Sequence, residues 1–325
     1  MSVRPRVVVT RRLPVAVETA LRDRFDAVLS TDDRPMSAEA LQRALATADG
    51  VLCTVTDRMT AEVLSAYPLR ARILANCGVG VDNIDLAAAG AHSLVVTNTP
   101  GVLTDCTADL AMTLILMTLR RAGEGERELR GGRWLGLAPT HLLGRQVTGK
   151  TLGLIGMGRI GSAVARRAHF GFGMRVLCYN RTRLGEAELA AVGAEQCPTL
   201  ESLLGNSDIV SLHCPSTPET RGLMNGTRLA LMQPGAFLVN TARGDIVDDD
   251  ALVASLLSGH LAGAGLDVYR GEPNVDRRYL GMEQVVLLPH LGSATRETRE
   301  AMGFLALENL AACFEGRPIP NRVGG

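Results

Sequence analysis

Three short segments late in the chain carry side chains that can hold an anion and move a proton. NTARGDIVD contains Arg243, GLDVYRGEP contains Asp267 and Glu272, and LLPHLGSAT contains His290. An arginine orients a carboxylate or carbonyl oxygen through charge-assisted donors. A protonated histidine gives a proton to an alkoxide as it develops. A glutamate on the other ring nitrogen fixes the imidazole tautomer and favours its charged form. Taken singly, Arg243 and Glu272 read as a surface salt bridge. Their order ahead of His290, each at or just past the end of an apolar run, points instead to carbonyl reduction beside a nicotinamide.

A glycine loop supplies the place for that nicotinamide. Gly156-Met157-Gly158-Arg159-Ile160-Gly161 matches G-x-G-x-x-G. It follows the strand-like Thr151–Ile155 and precedes a helical stretch from Ser162 to Ala168, with another strand at Val176–Tyr179. In that setting the glycines permit a tight turn and let a pyrophosphate approach a helix N-terminus. Asn180 stands about 20 residues beyond the loop, where an acid ordinarily accepts from the ribose hydroxyls of NAD. No carboxylate is there to repel a 2′-phosphate, while Arg181 and Arg183 offer charged donors and Thr182 a hydroxyl. The expected cofactor is NADP(H), with NAD(H) as the alternative.

Ten apolar, β-branched runs alternate with helical segments and must carry these residues. Four lie early, at Val7–Val9, Val51–Cys53, Ile73–Ala75 and Leu94–Val96. Six follow, at Thr151–Ile155, Val176–Tyr179, Ile209–Leu212, Phe237–Asn240, Ala264–Asp267 and Val285–Leu288. Continuous apolar strands separated by helices indicate α/β architecture with doubly wound parallel sheets. Turn residues Asn98–Gly101 and Pro289–Gly292 mark two breaks. Because six runs already complete the middle unit, the helical segment from Thr295 to Phe314 is expected to pack back on the first. The expected domains are 1–100 with 293–325, and 101–292.

Composition narrows the class. The chain has 325 residues, too many for one small core, and its 34 basic and 34 acidic residues balance. That balance leaves no footprint for nucleic acid or an anionic membrane. The seven cysteines are scattered without a CxxC pair, so a reducing compartment is expected and neither disulfides nor a metal site is. The apolar helix Ala108 to Leu119 is too short to span a bilayer. The N-terminal apolar run is too short for a secretory signal, and a cytoplasmic location is expected. Five histidines besides His290 lack ligand-spaced partners and read as structural, as do Asp82 and Asp85, which suit helix capping.

GMGRIG, NTARG, GLDVY with GEP, and PHLGSAT occur in that order, preceded by NCGVGVDNID (Asn76 to Asp85) and TPGVLTDCTADLA. Together they resemble the D-isomer-specific 2-hydroxyacid dehydrogenases over nearly the whole chain. The resemblance implies a Rossmann-type cofactor domain with a flavodoxin-like substrate domain, and Arg243, Glu272 and His290 as catalytic residues. It implies that the backbone amides of Val79 and Gly80 grip the substrate carboxylate, as a Gly-flanked anion nest would. Further cofactor contacts implied are Thr104, Cys214, Pro215, Thr241, Ala242, Asp267 and Gly292. A neutral residue at Asn180 departs from the acid usual in the family and is similar to the NADPH-dependent glyoxylate and hydroxypyruvate reductases. GGRWLGLAP (Gly131 to Pro139) is similar to a loop that, in that branch, reaches a neighbouring subunit; this implies a homodimer. The implied substrate is a small 2-keto or 2-hydroxy acid.

Rival readings carry different residue signatures. Formate dehydrogenases resemble a Gln–His pairing where this chain has Glu272, and phosphite dehydrogenases carry a Lys where Val79 stands. A phosphoglycerate dehydrogenase without its regulatory domain would use NAD. A dehydrogenase-like corepressor would bind dinucleotide without turning it over.

Overall fold

In the computed structural model, which describes residues 4–324, the chain forms two compact units. One runs to Leu103 and resumes at Ala294; the other is Thr104–Ser293.

The first unit is built on five parallel strands: β1 (Arg6–Val9), β2 (Asp26–Val28), β3 (Gly50–Thr54), β4 (Ile73–Cys77) and β5 (Val95–Thr97). Their order is β2-β1-β3-β4-β5, the flavodoxin-like winding. The apolar runs of β1, β3 and β4 are buried on both faces, as parallel strands require. Helix Arg296–Phe314 covers part of this sheet, its N-terminus capped by the Thr295 hydroxyl, which accepts from the Thr298 N–H. Its end is anchored by Phe314, edge-on to Phe25 with ring centroids 5.6 Å apart. Gly303 faces Val17 so closely that a Cβ would lie 2.7 Å from the valine side chain.

Seven parallel strands, rather than the six expected, make the second sheet: β6 (Thr151–Ile155), β7 (Arg175–Tyr179), β8 (Ala194–Gln196), β9 (Ile209–Leu212), β10 (Ala236–Asn240), β11 (Leu261–Leu266) and β12 (Val285–Leu287). The order β12-β11-β10-β9-β6-β7-β8 reverses direction between β6 and β9. Doubly wound sheets bind ligands outside the carboxyl ends of their strands at such a reversal. One face is covered by helix Thr104–Leu119 and helix Arg159–Arg166 around Leu114, Leu152, Val164 and Val176. The other buries Leu203, Leu212, Leu238, Leu252 and Tyr279. The helix after the glycine loop begins at Arg159, earlier than the expected Ser162, and continues as a π-helical turn over Arg167–Gly171.

All seven cysteines are free. Among the described residues no helix is long and apolar enough to cross a membrane, and no cluster of His, Cys, Asp and Glu could hold a metal ion.

Candidate active site

Because every strand of the second sheet is parallel, the residue just past each carboxyl end emerges on one edge. Gly156 follows β6, Asn180 follows β7, His213-Cys214 follow β9, Thr241–Arg243 follow β10 and Asp267 follows β11. His290 lies shortly after β12.

At the reversal the glycines are required by contact as well as by conformation. Gly156 has φ +96°, and a Cβ there would lie 2.7 Å from the Cys214 nitrogen. A Cβ on Gly161 would lie 2.2 Å from the Gly156 carbonyl oxygen. Gly158, at the N-cap of helix Arg159–Arg166, has no heavy atom within 4 Å of where its Cβ would stand. That open space ahead of free helix N–H groups fits the pyrophosphate of a dinucleotide. Thr241 supports the same fit: it is buried, and its Oγ1 has no hydrogen-bond partner. Burial pushes the Cys214 thiol up to about 11, so this cysteine packs without reacting. His213 beside it is held near 4 by burial and pairs with Ser211 Oγ at 2.9 Å, which makes it a neutral structural residue.

Asn180 is fully engaged. Its Oδ1 accepts from the Met157 N–H at 3.4 Å, and its Nδ2 donates to Thr182 Oγ1 at 3.0 Å. Arg181, Thr182 and Arg183 beyond it are exposed. Thr104 opens the first helix of this unit and is partly buried, Pro215 is exposed and Ala242 partly buried.

The acid–base group is assembled from three turns. At the end of β10, Asn240 Oδ1 accepts from the Ala242 N–H at 3.0 Å and its Nδ2 donates to the Arg243 carbonyl at 2.8 Å. This turn packs on Tyr269 so tightly that a Cβ on Gly244 would lie 1.9 Å from the Tyr269 carbonyl carbon. After β11, Glu272 Oε1 accepts from the Tyr269 N–H at 2.8 Å, and its Oε2 meets His290 Nδ1 at 2.7 Å. The carboxylate can only accept, so Nδ1 carries the proton and Nε2 is left to face a reactant. His290 itself is held in the left-handed region, φ +55°, an uncommon place for a non-glycine residue.

Asp267 enforces that backbone. Fully buried, it accepts from the Leu291 and Gly292 N–H groups at 2.7 and 2.8 Å, while its carbonyl accepts from the His290 N–H at 2.9 Å. Burial raises its pKa despite these donors and the nearby imidazole. For Glu272, burial also pushes upward, but the His290 hydrogen bond and charge, the Tyr269 N–H and the Arg243 charge outweigh it and hold the carboxyl below its usual range.

In the first unit, the loop after β4 turns its carbonyls inward. Asn76 Nδ2 donates to Gly80 O at 2.8 Å, Asn98 Nδ2 to Val79 O at 2.9 Å, and the Thr99 N–H to Gly78 O at 3.0 Å. Among the described residues nothing accepts from the Val79 and Gly80 N–H groups, so two adjacent donors are presented together. The sequence marks Asn98 only as a turn residue and Asn76 only as the start of a motif, not as shapers of this nest, since an inward amide has no periodic signature. Asp85 caps helix Leu86–Ala91 as expected, its Oδ1 accepting from the Ala88 N–H. His141 lies against Glu128 at 3.4 Å.

A family model described as D-isomer specific 2-hydroxyacid dehydrogenase, NAD binding domain, matches residues 112–292. The glyoxylate reductase of Thermococcus kodakarensis is 45% identical over 324 residues, covering 98% of this chain and 96% of its own. Among solved structures, a protein of Thermus thermophilus superposes with a TM-score of 0.89 at 45% identity, over 98% of this chain and 99% of that one. The NADPH-dependent glyoxylate/hydroxypyruvate reductase of Sinorhizobium meliloti, in complex with NADP and malonate, gives 0.85 at 36% identity over 99% and 97%.

The Glu272 pKa gives a pH test of stability. A carboxyl whose folded pKa is lowered stabilises the fold above the ordinary carboxylate range, and that contribution is lost as pH falls through the folded value. In denaturant unfolding, Glu272→Gln should therefore be less stable than wild type near neutral pH, with the gap closing as pH falls well below the ordinary carboxylate range. A gap of equal size at both would remove the charge on Glu272 from the account.

Proposed function

The chain belongs to the D-isomer specific 2-hydroxyacid dehydrogenases, a family of NAD(P)-dependent oxidoreductases, and on that premise we propose that it reduces small 2-keto acids, glyoxylate and hydroxypyruvate foremost, to D-2-hydroxy acids with NADPH. The reading is carried by the 2.7 Å His290–Glu272 hydrogen bond, which occupies Nδ1 and leaves Nε2 for a reactant, with the Arg243 charge felt at the same carboxylate. The second unit is the dinucleotide-binding domain in this reading, and the first holds the substrate loop.

The reduced dinucleotide, when bound, supplies the hydride. Everything else falls to side chains and amides of this chain. Val79 and Gly80 N–H groups take the substrate carboxylate, and the Arg243 guanidinium orients the carboxylate or keto oxygen. Protonated on both ring nitrogens, His290 delivers its Nε2 proton to that oxygen as charge develops, and Glu272, accepting from Nδ1–H, stabilises the imidazolium and holds the orientation of the neutral ring left behind. Asp267 holds the turn that carries His290, and Thr241, Ala242 and Gly292 line the nicotinamide end. Thr104, Cys214 and Pro215 complete the cofactor contacts with the glycine loop.

NADPH preference is supported by the neutral Asn180 followed by two exposed arginines and a threonine. The Sinorhizobium relative is itself NADPH-dependent. A homodimer is supported by Leu135 and Leu137, which are 100% and 96% exposed in the single chain on either side of Gly136, with Trp134 at 53%. Such an apolar run is costly to leave in water.

Three measurements check this reading. Across a panel of 2-keto acids, His290→Gln should lower kcat by about 10²–10⁴-fold, the usual worth of a general acid; retention of wild-type kcat would sink the assignment. Wild type should show higher kcat/KM with NADPH than NADH, and Asn180→Asp should cut the NADPH value by about 10–100-fold, as a carboxylate set against the 2′-phosphate implies. A clear NADH preference in wild type would return the chain to the NAD-dependent branch. Sedimentation should give the mass of two chains, and a mass of one would refute the dimer.

A further inference from the structure

We propose that Gln196 is a positioning residue for the cofactor's 2′-phosphate: it staples the Asn180–Leu184 loop from beneath and so sets the discrimination between NADPH and NADH. The inference rests on the NADPH reading above and adds to it the residue that makes the basic loop a formed receptor.

Gln196 is the last residue of the edge strand β8, opposite Cys178 of β7. Two interactions hold β8 in that register. Arg175 pairs with Glu195 through bonds of 2.7 and 3.1 Å, and the Cys197 N–H donates to the Cys178 carbonyl at 2.8 Å. From this place the Gln196 side chain runs past the end of β7 and binds the loop at three points. Its Nε2 donates to the Thr182 carbonyl at 3.1 Å and the Asn180 carbonyl at 3.4 Å. Its Oε1 accepts from the Leu184 N–H at 2.9 Å. The acceptor must face the N–H and the amine must face the carbonyls, so the amide has one sensible orientation.

The Asn180 and Thr182 carbonyls and the Leu184 N–H are thus satisfied by one side chain, while the Arg181, Thr182 and Arg183 side chains lie exposed. Asn180 completes the arrangement from the other side. Its Nδ2 occupies Thr182 Oγ1 at 3.0 Å, which leaves that hydroxyl's hydrogen free to donate away from the loop. Arg181 and Arg183 flank it, both exposed, and among the described residues no hydrogen bond or ion pair holds the Arg183 guanidinium. Three donors spaced along a fixed backbone suit a phosphate monoester dianion, which only accepts, better than a ribose hydroxyl, whose own hydrogen also seeks an acceptor. A loop free to move would have to be ordered at binding, at the expense of affinity. Gln196 reaches none of the donor side chains' tips and acts only through the backbone.

The test compares wild type, Gln196→Leu and Gln196→Met in steady-state kinetics with each cofactor, and in inhibition by adenosine 2′,5′-bisphosphate and by 5′-AMP. Loss of the staple should raise KM for NADPH and Ki for the bisphosphate by about tenfold. The kcat with NADPH, the KM for NADH and the Ki for 5′-AMP should each stay within about twofold. Equal losses with both cofactors would mean that Gln196 merely supports the fold, and no loss with either would mean that the loop forms without it; either overturns the proposal. The methionine variant, unbranched and of similar length, keeps the test decisive if the leucine variant fails to fold. Failure of the NADPH reading itself is seen separately, in the wild-type ratio.

Discussion

A single buried carboxylate organises the candidate site of the second unit. Asp267 stands at the end of β11 with no exposure, and it spends both oxygens on successive backbone N–H groups beyond β12. That grip bends the chain so that His290 sits at φ +55° with its ring against Glu272. Nothing in the imidazole's own chemistry would choose this backbone, which an ordinary residue adopts only when the surroundings dictate it. Burial makes the carboxylate costly to ionise, and the two N–H donors offset part of that cost.

The same logic, a polar side chain satisfying backbone groups so that others face outward, recurs at each binding element. Asn240 fixes the Arg243 turn, Asn76 and Asn98 turn the carbonyls of the Val79–Gly80 loop inward, and Gln196 holds the loop after β7. The candidate site residues are thus carried by side chains whose amides bind mainly the main chain. Preorganisation of this kind places donors before the ligand arrives, which is where electrostatic stabilisation is most effective.

This division explains what could be read from the residues and what could not. The Glu272–His290 pairing and the glycine turn were legible because chemistry restricts their residue types and the sheet restricts their spacing. The long apolar strands were legible because parallel sheets bury both faces. β2 and β8 were not: each is three residues long on a sheet edge, with Asp26 and Glu195 exposed, so neither shows an apolar run. Missing β8 meant missing Gln196, since a glutamine in an unrecognised strand has no visible role. The early start of the helix at Arg159 went unseen because Gly158 and Gly161 lower helical propensity where close approach demands them. The Asn and Gln supports were likewise hidden, because an amide that binds backbone three-dimensionally leaves no periodic trace.

The return of helix Arg296–Phe314 to the first sheet also has a bearing on the order of synthesis. Phe314 and Leu310 fill the space over Gly50, where a Cβ would lie 2.9 Å from the Phe314 ring, and Gly303 seats the helix on Val17. Those contacts join residues separated by most of the chain's length. A ribosome makes the early strands first but supplies this cover last, after every strand of the second sheet has emerged. Domains generally fold as units during synthesis. Here the unit begun first is finished second, and its apolar sheet face remains uncovered through translation of the whole intervening domain.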